Sequence, residues 1–248
     1  MLITKWGQKT PFNYAMPLNQ ECGHHALAGC IPVAIGQLFS YYKWPTDYNN
    51  KHYNWEDDMM NCSKNTTNAI TIESVSSLLY NISIACKAEY RGCNIISCPN
   101  YNKGTGVTES NICPALNEMG YNCSKFRQYS TTNVISAIEN KRPVLVTGWG
   151  SGGHGWIIDG YSHCSRDLYV RHRPSGATMY VETERYSLLH CNYGWDGLSN
   201  GYYISEVFDV CHPIIADSPD YLVPPAANGS HVEFIYSLRV LTDITPKK

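Results

Sequence analysis

Cys30, His154 and Asn192 lie far apart in the chain, in the order nucleophile, base and orienting amide, and together they could cleave a peptide bond. A thiol nucleophile needs a base to take its proton, a group that orients the base, and donors for the oxyanion formed on attack. Cys30 closes the small-residue stretch Cys22-Gly23-His24-His25-Ala26-Leu27-Ala28-Gly29. A helical pattern follows at once, with Ile31, Ala34, Ile35, Leu38 and Tyr42 at the right spacing. Pro32 suits a first helical turn, where its missing N–H costs nothing. The pattern predicts Cys30 at a helix N-terminus, where free backbone N–H groups and the helix dipole stabilise a thiolate. Gly29 lets another backbone approach the sulfur. The alternative for Cys30 taken alone is a buried structural thiol.

Among nine histidines, His154 stands out because Gly152, Gly153 and Gly155 surround it, leaving room for a substrate backbone in a cleft. The competing reading is a turn histidine satisfied by a carbonyl. Asn192 opens Asn192-Tyr193-Gly194-Trp195-Asp196-Gly197. An asparagine accepting from the far imidazole nitrogen would hold the ring, and Tyr193 and Trp195 would keep water off that bond. The competing reading is an aromatic hairpin that only packs the core. The three features in this order are stronger together than singly.

The elements that must position these residues can be read from periodicity. Residues 1–21 read as extended. A helix over 30–43 is stopped by Trp44-Pro45. Residues 46–68 read as loop, anchored to the core by Tyr53-Asn54-Trp55. Helices are predicted over 70–85, 108–119, with Thr108 as N-cap and Gly120 as stop, and 131–140. Residues 86–107 show no apolar period. Strands are predicted at 143–149, 154–161, 168–170, 179–181, 187–192, 201–204 and 232–238, with 212–230 a loop. Helices followed by a mostly antiparallel half give an α+β fold.

Composition excludes several functions. The 248 residues carry a formal net charge of −2 and only 16% charged side chains, which argues against a nucleic-acid partner. No apolar run reaches the length of a membrane span. Eleven cysteines without a Cys-x-x-Cys pair argue against a zinc ribbon and for some disulfides in an oxidising compartment. Local candidates are Cys86, Cys93 and Cys98, and the pair Cys113 and Cys123. His24-His25 beside cysteines lacks regular ligand spacing, so no metal is expected. Met1 reads as an added start on a piece of a longer precursor.

Over nearly all its length the chain resembles the streptopain family of papain-like cysteine peptidases. The resemblance rests on Lys5-Trp6-Gly7-Gln8 with Pro11-Phe12-Asn13, on Gly23 through Ala34 around the cysteine, and on Tyr53-Asn54-Trp55. It rests equally on Arg142-Pro143-Val144 through Gly152-Gly153-His154-Gly155-Trp156, and on Asn192 through Gly197 with Gly201-Tyr202-Tyr203. It implies a papain-like two-lobe fold: a helical lobe over about 20–125, a β-rich lobe over about 126–240, and residues 1–19 crossing onto the latter. It implies a secreted, periplasmic or cell-surface endopeptidase acting through a Cys30 thiolate and His154 imidazolium pair, by way of an acyl-enzyme and with no cofactor. Polypeptide substrates, loosely preferring a hydrophobic residue two positions before the cut, an N-terminal prodomain in a zymogen, and protein inhibitors are the implied partners. The chain departs from the pattern in three places, one of them its eleven cysteines, more than the family's type member is expected to carry. His24, six residues before Cys30, stands where the papain-like oxyanion glutamine is expected, so the oxyanion hole would comprise His24 and the Cys30 N–H. That substitution also raises the alternative of a weakly active or inactive peptide-binding relative. Tyr193 stands in place of a tryptophan.

Overall fold

A computed structural model describes residues 1–20, 23–91, 104–150, 152–218 and 232–247. The helix Cys30–Tyr42 lies at its centre, and every residue from Ile31 to Ser40 is buried. It ends where Lys43 turns left-handed and its N–H returns to the Phe39 and Ser40 carbonyls, just before Trp44-Pro45. The helix Ala69–Ala85 packs beside it and is capped by Asn68, whose side chain accepts from the Ile70 and Thr71 N–H groups. The predicted 108–119 helix is split into a 3₁₀ turn, Glu109–Asn111, and the helix Ile112–Glu118. Thr108 is its extended predecessor but makes no side-chain cap. Gly120 comes next at φ 84°, a left-handed stop. Ser130 caps the helix Thr131–Glu139 through Asn133 N–H.

One antiparallel sheet carries the second half. Its order runs Phe208–Asp209, Glu233–Leu241, Val144–Gly150, Gly153–Arg171, Thr178–Asn192, Gly201–Ile204 and Ile215–Ala216, with Arg127–Gln128 also pairing to Glu233–Leu241. The short strands predicted at 168–170 and 179–181 are the outer ends of two much longer ones. Beyond the sheet, Cys164 to Tyr186 form a two-stranded ribbon whose strands pair only with each other among the described residues, with Tyr169 facing Tyr180 and Val170 facing Met179. Five apolar side chains on it, Tyr169, Val170, Met179, Tyr180 and Val181, are at least half exposed.

The apolar residues form two clusters, one on each side of the sheet's central strands. The first joins the helices to Leu145 and Ile157 and also holds Trp6, Phe12 and Met16. The N-terminal segment therefore puts Trp6, Phe12 and Met16 into the helical core, while its first residues reach the sheet side, with the Met1 side chain against Gly160 and Tyr202. There the Thr4 carbonyl meets Asn192, and the Leu2 N–H meets the Asp159 carboxylate. The second cluster lies between the sheet and Thr131–Glu139 and includes Val146, Trp156, Ile158, Cys191, Tyr193, Phe208 and Phe234. The stretch 46–68, expected as loop, holds a short hairpin of Asp47–Tyr48 with Lys51–His52 and the helical turn Asp57–Met60; Tyr53 and Trp55 in it are buried and hydrogen-bonded, to Asn81 at 2.7 Å and the Pro45 carbonyl at 2.9 Å, and anchor it to the core.

Asp159, His190 and Asp217 form a further polar tie. The His190 ring, 3% exposed, sits between the two carboxylates at 2.5 Å and 3.0 Å. Burial alone would push this imidazole down, but the hydrogen bond and charge of Asp159, together with Asp217, hold it above its ordinary value. Cys113 and Cys123 form a disulfide that joins the Ile112–Glu118 helix to the segment after it. Cys30, Cys62, Cys86, Cys164, Cys191 and Cys211 are free thiols. Cys22, Cys93 and Cys98 lie outside the described residues.

Candidate active site

Cys30 is the first residue of its helix and is half-buried. Gly29 before it has φ 91°, which a side chain would strain. A Cβ on Gly29 would also lie 3.1 Å from the Thr105 Cβ. Thr105 donates to the Leu27 carbonyl at 2.5 Å and so clamps the loop that delivers the thiol. Burial pushes the Cys30 thiol above its ordinary value, while backbone N–H groups of Gly155, Ile31 and Cys30 pull it partly back.

The Gly155 N–H belongs to the strand that carries His154, so this strand crosses the helix start at Cys30. The crossing is close because Gly155 has no side chain. A Cβ there would stand 2.3 Å from Ile31 Cδ1. Both residues line a cleft of about 730 Å³ together with Gly153, Gly155, Trp149 and Thr105. Gly152 is exposed and lies outside that lining.

The His154 ring is 4.6 Å from Trp195, 5.2 Å from Phe234, 6.1 Å from Tyr193 and 6.2 Å from Trp156, centre to centre. Burial lowers its pKa to about 4, partly opposed by a hydrogen bond to the Tyr193 carbonyl. That bond joins Nε2 to the carbonyl oxygen at 2.9 Å. A carbonyl only accepts, so Nε2 carries the proton and Nδ1 of the neutral ring keeps its lone pair.

The expectation that Asn192 holds the imidazole needs correction. Its Nδ2 donates to the Thr4 carbonyl at 2.9 Å. Its Oδ1 accepts from Gln37 Nε2 at 3.0 Å and from the Gly194 N–H at 3.1 Å. The imidazole's acceptor is the carbonyl one residue on. Strand alternation is the cause. Asn192 pairs with Ile157, on the helix face, whereas His154 shares its face with Trp156 and Ile158. Opposite faces keep the two side chains apart. Tyr193 and Trp195 do flank the imidazole.

His24 needs correction as well. It is exposed on a short strand paired with Asn19, outside the Cys30 cleft. The segment is fastened away from the cleft by Ala26 N–H to the Pro17 carbonyl and Ala28 N–H to the Gln8 carbonyl, both at 2.9 Å. Of the expected oxyanion donors, the Cys30 N–H is at the nucleophile and the His24 side chain is not.

Sequence reasoning missed four residues of the site. Thr105 and Trp149 lie in a stretch without a period and at a strand end, where no signal marks them. Phe234 is hidden among core aromatics. Gln37 could have been found as a long polar side chain within the apolar run from Ile31 to Phe39.

Residues 6–203 match the model of the Peptidase C10 family. The chain is similar to the thiol protease/hemagglutinin PrtT of Porphyromonas gingivalis, 26% identical over 79% of this chain and 22% of that protein. It is similar to streptopain of Streptococcus pyogenes, 23% identical over 80% of this chain and 52% of that one. The chain thus spans about half or less of the curated relatives it matches. Among solved structures, active interpain A cysteine protease of Prevotella intermedia aligns over 97% of this chain and 92% of its own, with a TM-score of 0.64 at 17% identity. A fragment of its precursor, prointerpain A, aligns over 97% and 69%, with a TM-score of 0.60. The papain-like α+β fold rests on these matches and on the helices and the antiparallel sheet.

Proposed function

The chain belongs to the peptidase C10 family, and from that membership we propose that it is a cysteine endopeptidase with Cys30 as nucleophile and His154 as base. The observation that carries this reading is the shared cleft, with a half-buried thiol at a helix start beside an imidazole whose Nε2 proton is committed to the Tyr193 carbonyl. Burial disfavours charge on both groups, so the resting pair is a neutral thiol and a neutral imidazole. As a peptide carbonyl is attacked, the Cys30 proton passes to His154 Nδ1 and the sulfur bonds to the carbonyl carbon. The Cys30 N–H donates to the oxyanion. His154 returns its proton to the leaving amine, and the acyl-enzyme forms. A water then gives His154 a proton, attacks the thioester and frees the acid, and the thiol is restored.

In this reading the imidazolium forms during acyl transfer, whereas the family resemblance implies a standing thiolate–imidazolium pair; burial of both groups supports the former. Secretion and a prodomain are part of the proposal. The Cys113–Cys123 disulfide is consistent with an oxidising compartment, and the likeness to a prointerpain fragment supports a precursor. The alternative, a weakly active or inactive peptide-binding relative, is not removed by His24 lying off the cleft, since the Cys30 N–H is then the one expected oxyanion donor left at the nucleophile.

The test is hydrolysis of casein by the reduced protein, with iodoacetamide labelling and peptide mapping alongside. Cys30→Ala is expected to lose all thiol-dependent hydrolysis, and the label is expected on Cys30. Full activity in Cys30→Ala, with labelling elsewhere, overturns the assignment.

A further inference from the structure

We propose that Gln37 is a positioning residue that fixes the imidazole relative to the nucleophile by tying the Cys30 helix to the Asn192–Gly194 turn. This deepens the peptidase reading and rests on it. Gln37 is fully buried in a helix whose other large side chains, from Ile31 to Phe39, are apolar. A buried amide is costly unless both ends are bonded, and both ends of this one are. Oε1 accepts from the Trp6 N–H at 3.0 Å, and Nε2 donates to Asn192 Oδ1 at 3.0 Å.

The residues just after Asn192 give the second bond its importance. Asn192 Oδ1 also accepts from the Gly194 N–H at 3.1 Å, closing a local turn around Tyr193. The Tyr193 N–H donates to Asn200 Oδ1 at 3.1 Å. The Tyr193 peptide is therefore held on both sides, and its carbonyl is the group that receives His154 Nε2–H. The turn also lies directly on the helix. Gly194 has φ 68°, and a Cβ on it would stand 2.8 Å from Val33 Cγ1. Residues 30, 33 and 37 succeed one another along one helix face. A line of bonds thus runs from the helix that carries the thiol, through Gln37 and Asn192, to the carbonyl that aims the base. Asn192 serves the imidazole through its neighbour's backbone and Gln37 links it to the nucleophile.

The prediction is read in Gln37→Met, which keeps bulk and loses both hydrogen bonds, and in Gln37→Glu, which keeps the acceptor for Trp6. Two measurements are made on the whole chain: kcat and KM on a peptide substrate, and the pH-dependent rate of Cys30 alkylation by iodoacetamide. Misplaced reacting groups cost up to about 10² in rate. In Gln37→Met, kcat is expected to fall about 10- to 100-fold per molecule titratable at Cys30, with KM within about twofold of wild type. The alkylation pH profile is expected to move toward that of His154→Ala. Gln37→Glu is expected to lose activity where its carboxylate is ionised and to recover it as acid restores a donor toward Asn192. If kcat per titratable site and the alkylation profile stay at wild-type values in both variants, Gln37 is a structural residue and the proposal fails. If Gln37→Met does not fold, the pH-dependent recovery of Gln37→Glu decides, and its absence overturns the proposal. Alkylation needs no substrate, so a wild-type chain that cleaves nothing, yet shows the Gln37 effect on Cys30, would sink the peptidase reading and leave this one standing.

Discussion

At His154 two influences oppose each other: aromatic walls drive the charged form out, and the Tyr193 carbonyl favours it. Burial prevails, and the pKa falls to about 4. At Cys30 the same burial works in the other direction and raises the thiol. The two groups titrate as a pair. Above about pH 4 the pair holds one proton, whichever atom carries it, and loses that proton only when pH passes the raised thiol value. The kcat/KM profile is therefore expected to rise through about pH 4 and to stay level past neutrality, falling only above the ordinary thiol range. An acid limb between about pH 6 and 7, the ordinary imidazole range, would contradict it. That Cys30 stands at a helix start and shares a cleft with His154 is foreshadowed in the sequence, because a helix start after Gly29 and a glycine-flanked histidine are local patterns. Which atom aims the imidazole is not. It depends on the pleat parity of two strands, Gly153–Arg171 and Thr178–Asn192, whose register no local pattern states.

Between elements, the decisive contact is the Cys30–Tyr42 helix seated on the Gly153–Arg171 strand through Ile31 and Gly155. Gly155→Ala places a methyl group 2.3 Å from Ile31 Cδ1, with the Val146 carbonyl 3.6 Å away on another side. Overpacking of this kind costs about 1–3 kcal/mol. It also shifts Cys30 relative to His154, so under the proposed mechanism kcat is expected to drop about tenfold or more. Adding Ile31→Val removes the clashing Cδ1, and the double variant is expected to regain most of the lost activity and melting temperature. A single variant indistinguishable from wild type would show that the seat is loose. Helical periodicity reveals the four main helices, including the stop at Trp44-Pro45. It does not reveal that 168–170 and 179–181 extend longer strands, since an exposed ribbon lacks the one-sided alternation that marks a half-buried strand.

For the molecule as a whole, the two apolar clusters and the sheet between them do the stabilising, and the Cys164–Tyr186 ribbon contributes to neither cluster. Its side chains contact mainly one another, as in Tyr169 against Tyr180 at 5.9 Å and Arg166 on Glu184 at 2.6 Å. Replacing residues 164–186 by an Asn-Gly turn is expected to leave kcat/KM on a short peptide within about twofold and the melting temperature within a few degrees. A collapse of either would mean that the ribbon supports the site. The α+β architecture is legible from the order of elements. The N-terminal segment is only half legible: Trp6, Phe12 and Met16 read as apolar punctuation, and nothing nearby in sequence tells which of two cores receives them.

The bonds from the first residues to the sheet also bear on timing. The Thr4 carbonyl waits for an asparagine 188 positions later, and the Leu2 N–H for an aspartate 157 positions later. Chain emerging from a ribosome cannot make either contact until most of the sequence has been translated. Closing such long loops is among the slower steps of folding. The helix start that carries Cys30 is thus made early and His154 late, so under the peptidase reading the two can share a cleft only after more than half of the chain has been synthesised.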